Sequence, residues 1–497
     1  MSILSCKDAI DIVQAGELNE ATVFKTTSDL EKYLNGAIYA GLDNMNQIKF
    51  SAVFTDELST APTNTGWDYA LHRYFLNSDD SYASGIWANN YATINKVNRL
   101  LKIAQTITPA STDIATYNNT LAEARVLRAY AYLTLQSYFT TNMKDDNALG
   151  VMLSTSVPEI YDQLPRVSNA NIWAQIESDL AFADVNLNTS NAQVAPHPFP
   201  FFVSKSFVSA LRARMYLYRG KYTQAKQYAQ DAITTSGVNL TIATPIPTGT
   251  PGSPAWNNSF YSEATTNPYR KIWNDTSNGE CIFVLNRPIG GVGGNVASLF
   301  TTNKTDIDGA VLWTVGLNLV SNFSSYTNDI RPFAFMDPKQ WTGADAVYRV
   351  IDKYPGKGTQ VLKNNLKIVR LSEMKLILAE CAIREATPDY VTAANYIKEV
   401  RQARRYSGTV ATPTYTSISS ALQDVLKERR VELCFEGQRY IDLRRVGADA
   451  GVSIDRNAQD DIVATPLTLP ITDYRFTLPI PTSEIAGNPT IVQNPGY

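Results

Sequence analysis

Between Val208 and Ile233 the chain carries two apolar stripes of helical period, separated by a break short enough to force a reversal. Val208, Leu211, Met215 and Tyr218 form the first stripe, Gly220-Lys221-Tyr222 the break, and Ala225, Ala229 and Ala232 the second. The small residues of the second stripe let its helix lie close against the first. The same layout returns where Leu371, Met374, Leu378 and Ala382 are followed by Ala394, Ile397 and Val400. Further stripes of this period run through Leu30, Leu34, Ile38 and Leu42, through Trp87, Tyr91, Ile94, Val97 and Leu101, and through Ala124, Leu127, Ala131, Leu135 and Tyr138. The expected fold is mainly α, built from helical hairpins.

Such a hairpin resembles a tetratricopeptide unit, which cannot bury its apolar face alone and must stack on neighbours. With 497 residues, 44% of them hydrophobic and 18% charged, the chain has ample material for that core. From Thr241 to about Asn365 the character changes. Pro245, Pro247, Pro251 and Pro254 crowd together, Gly290-Gly291-Val292-Gly293-Gly294 follows, and long periodic runs disappear. This predicts a loop-rich inserted lobe with short strands, such as Cys281 to Leu285. The organisation is therefore read as an N-terminal tether over 1–23, a TPR-like helical scaffold over 24–240, the inserted lobe over 241–365, and a C-terminal region over 366–497.

Several functions are disfavoured at this level. Lys and Arg total 44 against 47 Asp and Glu, a net charge of −3, so no overall field draws the chain to nucleic acid. Cysteines at 6, 281, 381 and 434 lack metal or disulfide-framework spacing, and the only histidines are His72 and His197. No metal or other cofactor is expected. Neither a nucleophile elbow, a P-loop nor a zinc-protease motif occurs, and the glycine run at 290–294 lacks the third glycine of a dinucleotide turn. His72 is expected at the surface or in a binding loop, and His197, in Pro196-His197-Pro198, in a rigid loop. No catalytic residue is assigned; a distant pair of glycosidase carboxylates is the one enzymatic arrangement that sequence patterns leave open.

The densest charge lies in Lys427 to Arg445, with ten charged residues in nineteen. Glu428, Glu432 and Glu436 fall at i, i+4 and i+8, which stacks three like charges on one helical face unless cations meet them. Arg429, Arg430, Arg439, Arg444 and Arg445, with Arg370, Arg401 and Arg404 from the preceding hairpin, are the expected partners. A structural ion-pair network is favoured over an acid-base site.

These charges also sit in an ordered set of motifs. Arg370-Leu371-Ser372-Glu373 with Ala379-Glu380 comes first, then Val400-Arg401-x-Ala403-Arg404, then Glu428-Arg429-Arg430-x-Glu432-Leu433, Phe435-Glu436-Gly437-x-Arg439 and Asp442-Leu443. The tail adds Leu478-Pro479-Ile480-Pro481, Glu484-Ile485, Asn488-Pro489 and Gln493-Asn494-Pro495-Gly496-Tyr497. In order and spacing this resembles the C-terminal signature of the SusD/RagB family. The N-terminal part agrees in layout through Thr55-Asp56-Glu57 and Trp87 to Asn95. Val446-Gly447 departs from the pattern, in which an aromatic often precedes the glycine.

The resemblance implies a non-catalytic, TPR-containing lipoprotein that sits as a lid on a SusC-type TonB-dependent outer-membrane barrel and presents a glycan or other nutrient to it. Ile3-Leu4-Ser5-Cys6 has the apolar, small, then Cys order of a bacterial lipobox, making Cys6 the expected lipidation site and the outer membrane the expected location, with the protein facing outward. Lys7-Asp8 resembles the surface-sorting signal of Bacteroidota lipoproteins. The alternative within the same resemblance is a lid subunit that handles peptides or proteins, or takes part in outer-membrane protein assembly.

Sugars are held by aromatic rings on their C–H faces and by Asn, Asp or Arg on their hydroxyls. Two stretches mix these types: Trp67, Asp68, Tyr69, Arg73 and Tyr74, and the lobe residues Trp313, Asn318, Phe323 and Tyr326 with Trp256 and Trp273 behind them. Trp67, Asp68, Tyr69, Arg73, Tyr74, Trp313, Asn318 and Tyr326 are the expected ligand-binding residues.

Overall fold

Each apolar stripe lies on a helix in the computed structural model, which describes residues 23–159, 161–188, 198–262, 266–300, 311–337, 349–460 and 466–497. Cys6 with its lipobox, and His197, lie outside the described residues. The stripe from Leu30 to Leu42 is the least regular: it bends through a helix at Thr27–Tyr33 and a π-turn at Leu34–Ile38, burying Leu30, Leu34 and Ile38, and Leu42 lies beyond the helical turns in extended backbone. Longer helices follow at Ser81–Ala104, Ile114–Phe139 and Asn169–Asn186, each packed on the next. The Lys205–Tyr218 and Tyr222–Ser236 helices form the predicted hairpin, with Gly220 in the left-handed region (φ 69°) at the reversal. Ala225, Ala229 and Ala232 are fully buried, so the close approach of the two helices follows from their small side chains.

The Leu371–Ile383 helix packs on that hairpin as well as on its own partner, Tyr390–Arg404. This stacking carries the apolar core from one hairpin into the next. Leu376, Ile383, Ile397, Leu422, Val425 and Val446 form a second buried cluster among the C-terminal helices. Among the described residues the strands make three antiparallel pairs. Leu58–Thr60 pairs with Trp313–Val315, Leu149–Met152 with Arg166–Ser168, and Cys281–Leu285 with Leu366–Arg370. The strand expected at Cys281 to Leu285 is therefore present, and it pairs with the strand that opens the C-terminal motifs. No described helix is long and apolar enough to cross a membrane. Cys281, Cys381 and Cys434 are free and buried.

The charged run departs from its expected geometry. It is not one helix: Ile418–Glu432 ends at Glu432, and a new helix begins at Arg439 and runs to Ala450. Between them Phe435 (φ 61°) and Gly437 (φ 81°) are left-handed, which no helix accommodates. A Cβ on Gly437 would meet backbone atoms of Gln47 and Ile48 at 3.2 Å, so the glycine also permits a close crossing with the Met45–Phe54 helix. Glu436 thus stands in a turn. Lys353 closes the helix end, its Nζ donating to the Glu432 carbonyl (3.2 Å) and the Cys434 carbonyl (2.7 Å), where a cation complements the helix dipole.

The three glutamates do meet cations, though with a corrected set of partners. Glu428 binds Arg331 (2.5 Å) and Arg401 (2.7 Å), and Glu432 binds Arg370 (2.7 Å), Arg404 (2.8 Å) and Arg331 (3.3 Å). Glu436 binds Arg370 (2.7 Å) and Lys353 (2.8 Å), while Glu280 adds contacts to Arg370 (2.9 Å) and Arg404 (2.7 Å). Arg331 and Lys353 come from far upstream of the charged run and escaped the sequence reading, since nothing local marks them. The arginines on the charged run itself turn elsewhere. Arg429 and Arg445 bind Asp442, Arg430 and Arg439 bind Asp56, and Arg444 donates to the Ser137 and Thr140 carbonyls. Burial inside this ring of guanidinium groups leaves Glu432 well below the usual carboxylate range, the attraction of Arg404 and Arg370 outweighing desolvation.

The tail returns to the first helices. Trp87 Nε1 donates to Glu484 (2.7 Å), Leu478 N to the Tyr138 carbonyl (2.9 Å), and Asn494 Nδ2 to the Phe139 carbonyl (2.8 Å). Arg166 Nη1 also reaches Asn494 Oδ1 (3.0 Å).

Candidate ligand-binding site

Trp67 stands 65% exposed on a loop whose backbone is fixed from below. Asn64, itself buried, accepts from Gly66 N (3.1 Å) and Trp67 N (2.8 Å) through Oδ1 and donates to the Trp67 carbonyl (3.2 Å). The Tyr69 hydroxyl donates back to the Asn64 carbonyl (2.6 Å). Asp68 and Tyr74 are left-handed at φ 60° and 64°, which for residues with a Cβ costs on the order of 1–2 kcal/mol each. Such strain persists only where the surroundings hold it.

Those surroundings are specific. The Asp68 carboxylate accepts from the Tyr82 hydroxyl (2.9 Å) and pairs with Lys49 Nζ (3.1 Å). Lys49 is buried, 5.5 Å from the Trp313 ring centre, and burial draws its ammonium below the ordinary range, with Asp68 opposing. Tyr74 is held by Phe54 at 5.3 Å and by the Arg456 guanidinium 4.5 Å from its ring centre, and its carbonyl accepts from Arg475 (2.9 Å). Asp80 caps the Ser81–Ala104 helix through Tyr82 N (3.0 Å) and Ala83 N (2.8 Å), anchoring the far end of the loop.

The expected ligand-binding residues divide accordingly. Trp67 is exposed, Asp68, Tyr69 and Arg73 are half-buried beside it, and Arg73 lies 5.7 Å from the Tyr69 ring centre. Tyr74 and Trp313 are buried, at 2% and 0% exposure, and present no face to a ligand. Trp313 is instead the wall behind the loop, packed on Tyr69 (6.5 Å) and His72 (5.0 Å) through the pairing of Thr60 with Trp313. Trp256, Trp273 and Phe323 are likewise core residues. His72 is also corrected, since it is buried with Nδ1 3.0 Å from the Val53 carbonyl. Asn318 is committed to the 455–457 segment, donating to Asp455 Oδ1 (3.0 Å) and accepting from Asn457 (3.2 Å). Tyr326 lies in a different place, lining a separate cleft.

Sequence reasoning missed Phe75. It is 69% exposed at the other end of the Tyr69–His72 helical turn, with its N–H donating to the Ala70 carbonyl (2.9 Å). An aromatic directly after a left-handed residue carries no sequence signal that separates it from core.

The arrangement is a rigid aromatic platform with hydrogen-bonding groups beside it. Among the described residues no cluster of three or more His, Cys, Asp or Glu could hold a metal ion. Scaffold and platform together make a mainly helical protein with an exposed aromatic face. A sequence model of the SusD family matches residues 339–497, the stretch that carries the C-terminal motifs. The chain is 22% identical to SusD-like protein P2 of Formosa agariphila over 553 aligned positions, covering 100% of this chain and 98% of the relative. Among solved structures it resembles a putative sugar binding protein from Bacteroides vulgatus (TM-score 0.75, 22% identity, 96% of this chain and 99% of that one). It also resembles surface glycan-binding protein A from Bacteroides uniformis (TM-score 0.70, 21% identity, 94% and 99%).

Proposed function

We propose that the protein is a non-catalytic cell-surface carbohydrate-binding protein, which captures a glycan on the Trp67 platform and passes it to a SusC-type TonB-dependent barrel. The observation that carries this reading is an indole left 65% exposed on a loop that is fixed, and strained, to hold it there. A large apolar ring kept in water at a conformational cost is explained by a partner for that ring. Asp68 and Arg73 beside it supply acceptor and donor groups for hydroxyls. The names of two structural relatives, a putative sugar binding protein and a surface glycan-binding protein, support the ligand class. In this reading Cys6 carries the lipid that tethers the platform to the outer membrane.

The test is a polysaccharide and oligosaccharide panel probed with the Cys6→Ala protein, followed by calorimetric titration of each hit. Trp67→Ala is expected to weaken binding about 10- to 30-fold, the effect of removing one central aromatic contact worth about 1.4–2 kcal/mol. Silence across a broad panel, or unchanged affinity in Trp67→Ala, overturns the proposal. Delivery is checked separately by purifying the lipoprotein from the membrane and looking for a bound TonB-dependent barrel.

A further inference from the structure

A second recess lies under the Leu317–Ser324 helix, away from the Trp67 loop, with a volume of about 410 Å³. That is within the range of about 300–1,000 Å³ common to small-ligand pockets. Three half-buried rings converge on it: Tyr326, Phe333 and Tyr406. Phe333 packs at 6.1 Å from Tyr406 and 5.6 Å from the buried Trp256.

Its walls are built from distant parts of the chain. Ile330 N donates to the Arg404 carbonyl (2.9 Å) and Tyr406 N to the Asn328 carbonyl (2.9 Å), locking the 328–330 segment against 404–406. Tyr326 is braced by Arg331, Arg401 and Lys427, each 5.0–5.1 Å from its ring centre, and Arg401 donates to its hydroxyl (3.1 Å). The floor of the recess therefore rests on the buried ionic network.

Both charged groups at the recess are already matched. Asp329 is bound by Arg331 at 2.6 Å, and Arg349 lies 3.5 Å from Asp460. A charged ligand would have to displace one of these partners, whereas a neutral one would not. Asn328 Nδ2 donates to the Ser407 carbonyl (3.1 Å) and Ser324 Oγ to the Val320 carbonyl (3.0 Å), so their oxygens are left as acceptors, and with the aromatic faces they suit a ligand that is apolar on its faces and hydroxylated on its rim. The volume limits it to one or two rings.

We propose that this recess is a second carbohydrate site, one that takes a single neutral pyranose unit such as a chain end, while the open Trp67 platform takes the side of a chain. The proposal rests on the carbohydrate reading above and assigns a distinct site to it. Two weak sites on one rigid body raise the affinity for glycans long enough to span them.

The probes are the methyl glycosides of glucose, galactose, mannose and xylose, observed by saturation-transfer NMR on the Cys6→Ala protein. At least one is expected to bind, with Tyr406→Ala lowering its signal about fivefold or more. Ser324→Trp, which fills the recess from an exposed position without disturbing the core, is expected to do the same. If longer oligosaccharides bind through Trp67 while no methyl glycoside does, this site is refuted and the platform stands. Signal that survives both Tyr406→Ala and Ser324→Trp refutes it as well. Absence of binding by any carbohydrate overturns both readings.

Discussion

Glu432→Ala is expected to cost about 3–5 kcal/mol of folding stability, the range found when one member of a buried ion pair is removed and its partner stays charged. Arg331, Arg370 and Arg404 all lean on that one carboxylate, each of the four side chains at most 1% exposed. Glu280 and Glu436 still meet Arg370, Glu280 still meets Arg404, and Asp329 still meets Arg331, so the loss is bounded. The measurement is the midpoint of urea denaturation with the slope compared between variants. A loss below about 1 kcal/mol would show that the network is dispensable and would reopen a functional role for these carboxylates. Because Glu428, Glu432, Glu436, Asp442 and Asp56 are all held below their usual values, their contribution is complete above the unfolded carboxylate range and is lost as pH falls through the folded values. Acid is therefore expected to open this region.

Glu57 is expected to act in the opposite direction. Its carboxyl is fully buried, accepts Phe435 N at 3.1 Å through Oε1, and is pushed up to about 8 from 4.5, chiefly by desolvation and further by neighbouring Asp56. The folded protein keeps this proton while the unfolded chain releases it above pH 4.5. Folding is thus unpenalised below about pH 4.5, loses about 1.4 kcal/mol per pH unit above it, and levels off above about 8. Glu57→Gln preserves the shape and removes the titration. It is expected to match the wild type near pH 4 and to exceed it by about 3 kcal/mol at pH 7. Denaturation curves at a series of pH values check this. Parallel profiles for the two proteins, or a Gln variant less stable at pH 7, would mean that Glu57 is ionised in the fold.

The hairpins were legible because their information is local. Val208 to Tyr218 and Ala225 to Ala232 declare both period and side-chain size, and the Gly220 reversal sits between them. Periodicity alone could not place the end of the helix at Glu432, because that end is set by Phe435 and Gly437, whose left-handed backbone is fixed by contacts with Glu57 and the Met45–Phe54 helix. That the glutamates would be paired followed from charge density; that Arg331 and Lys353 would do much of the pairing did not, since they approach from 79 or more positions away. At the candidate site Trp67 and Trp313 look alike as aromatics in loops. One is exposed and the other is core because Trp313 lies on a strand paired with Leu58–Thr60, a contact that spans about half the chain.

The return of the tail to the first helices bears on the order in which the molecule can be completed. The Asn494 side chain satisfies the Phe139 carbonyl across 355 positions, and Leu478 and Glu484 make similar long closures onto Tyr138 and Trp87. Contacts of such high order form late and slow a chain that depends on them. The early helices are therefore sealed only once residues 478–494 have joined them. Removing residues 478–497 is expected to expose the helices at Ser81–Ala104 and Ile114–Phe139, far away in sequence, rather than their own neighbours.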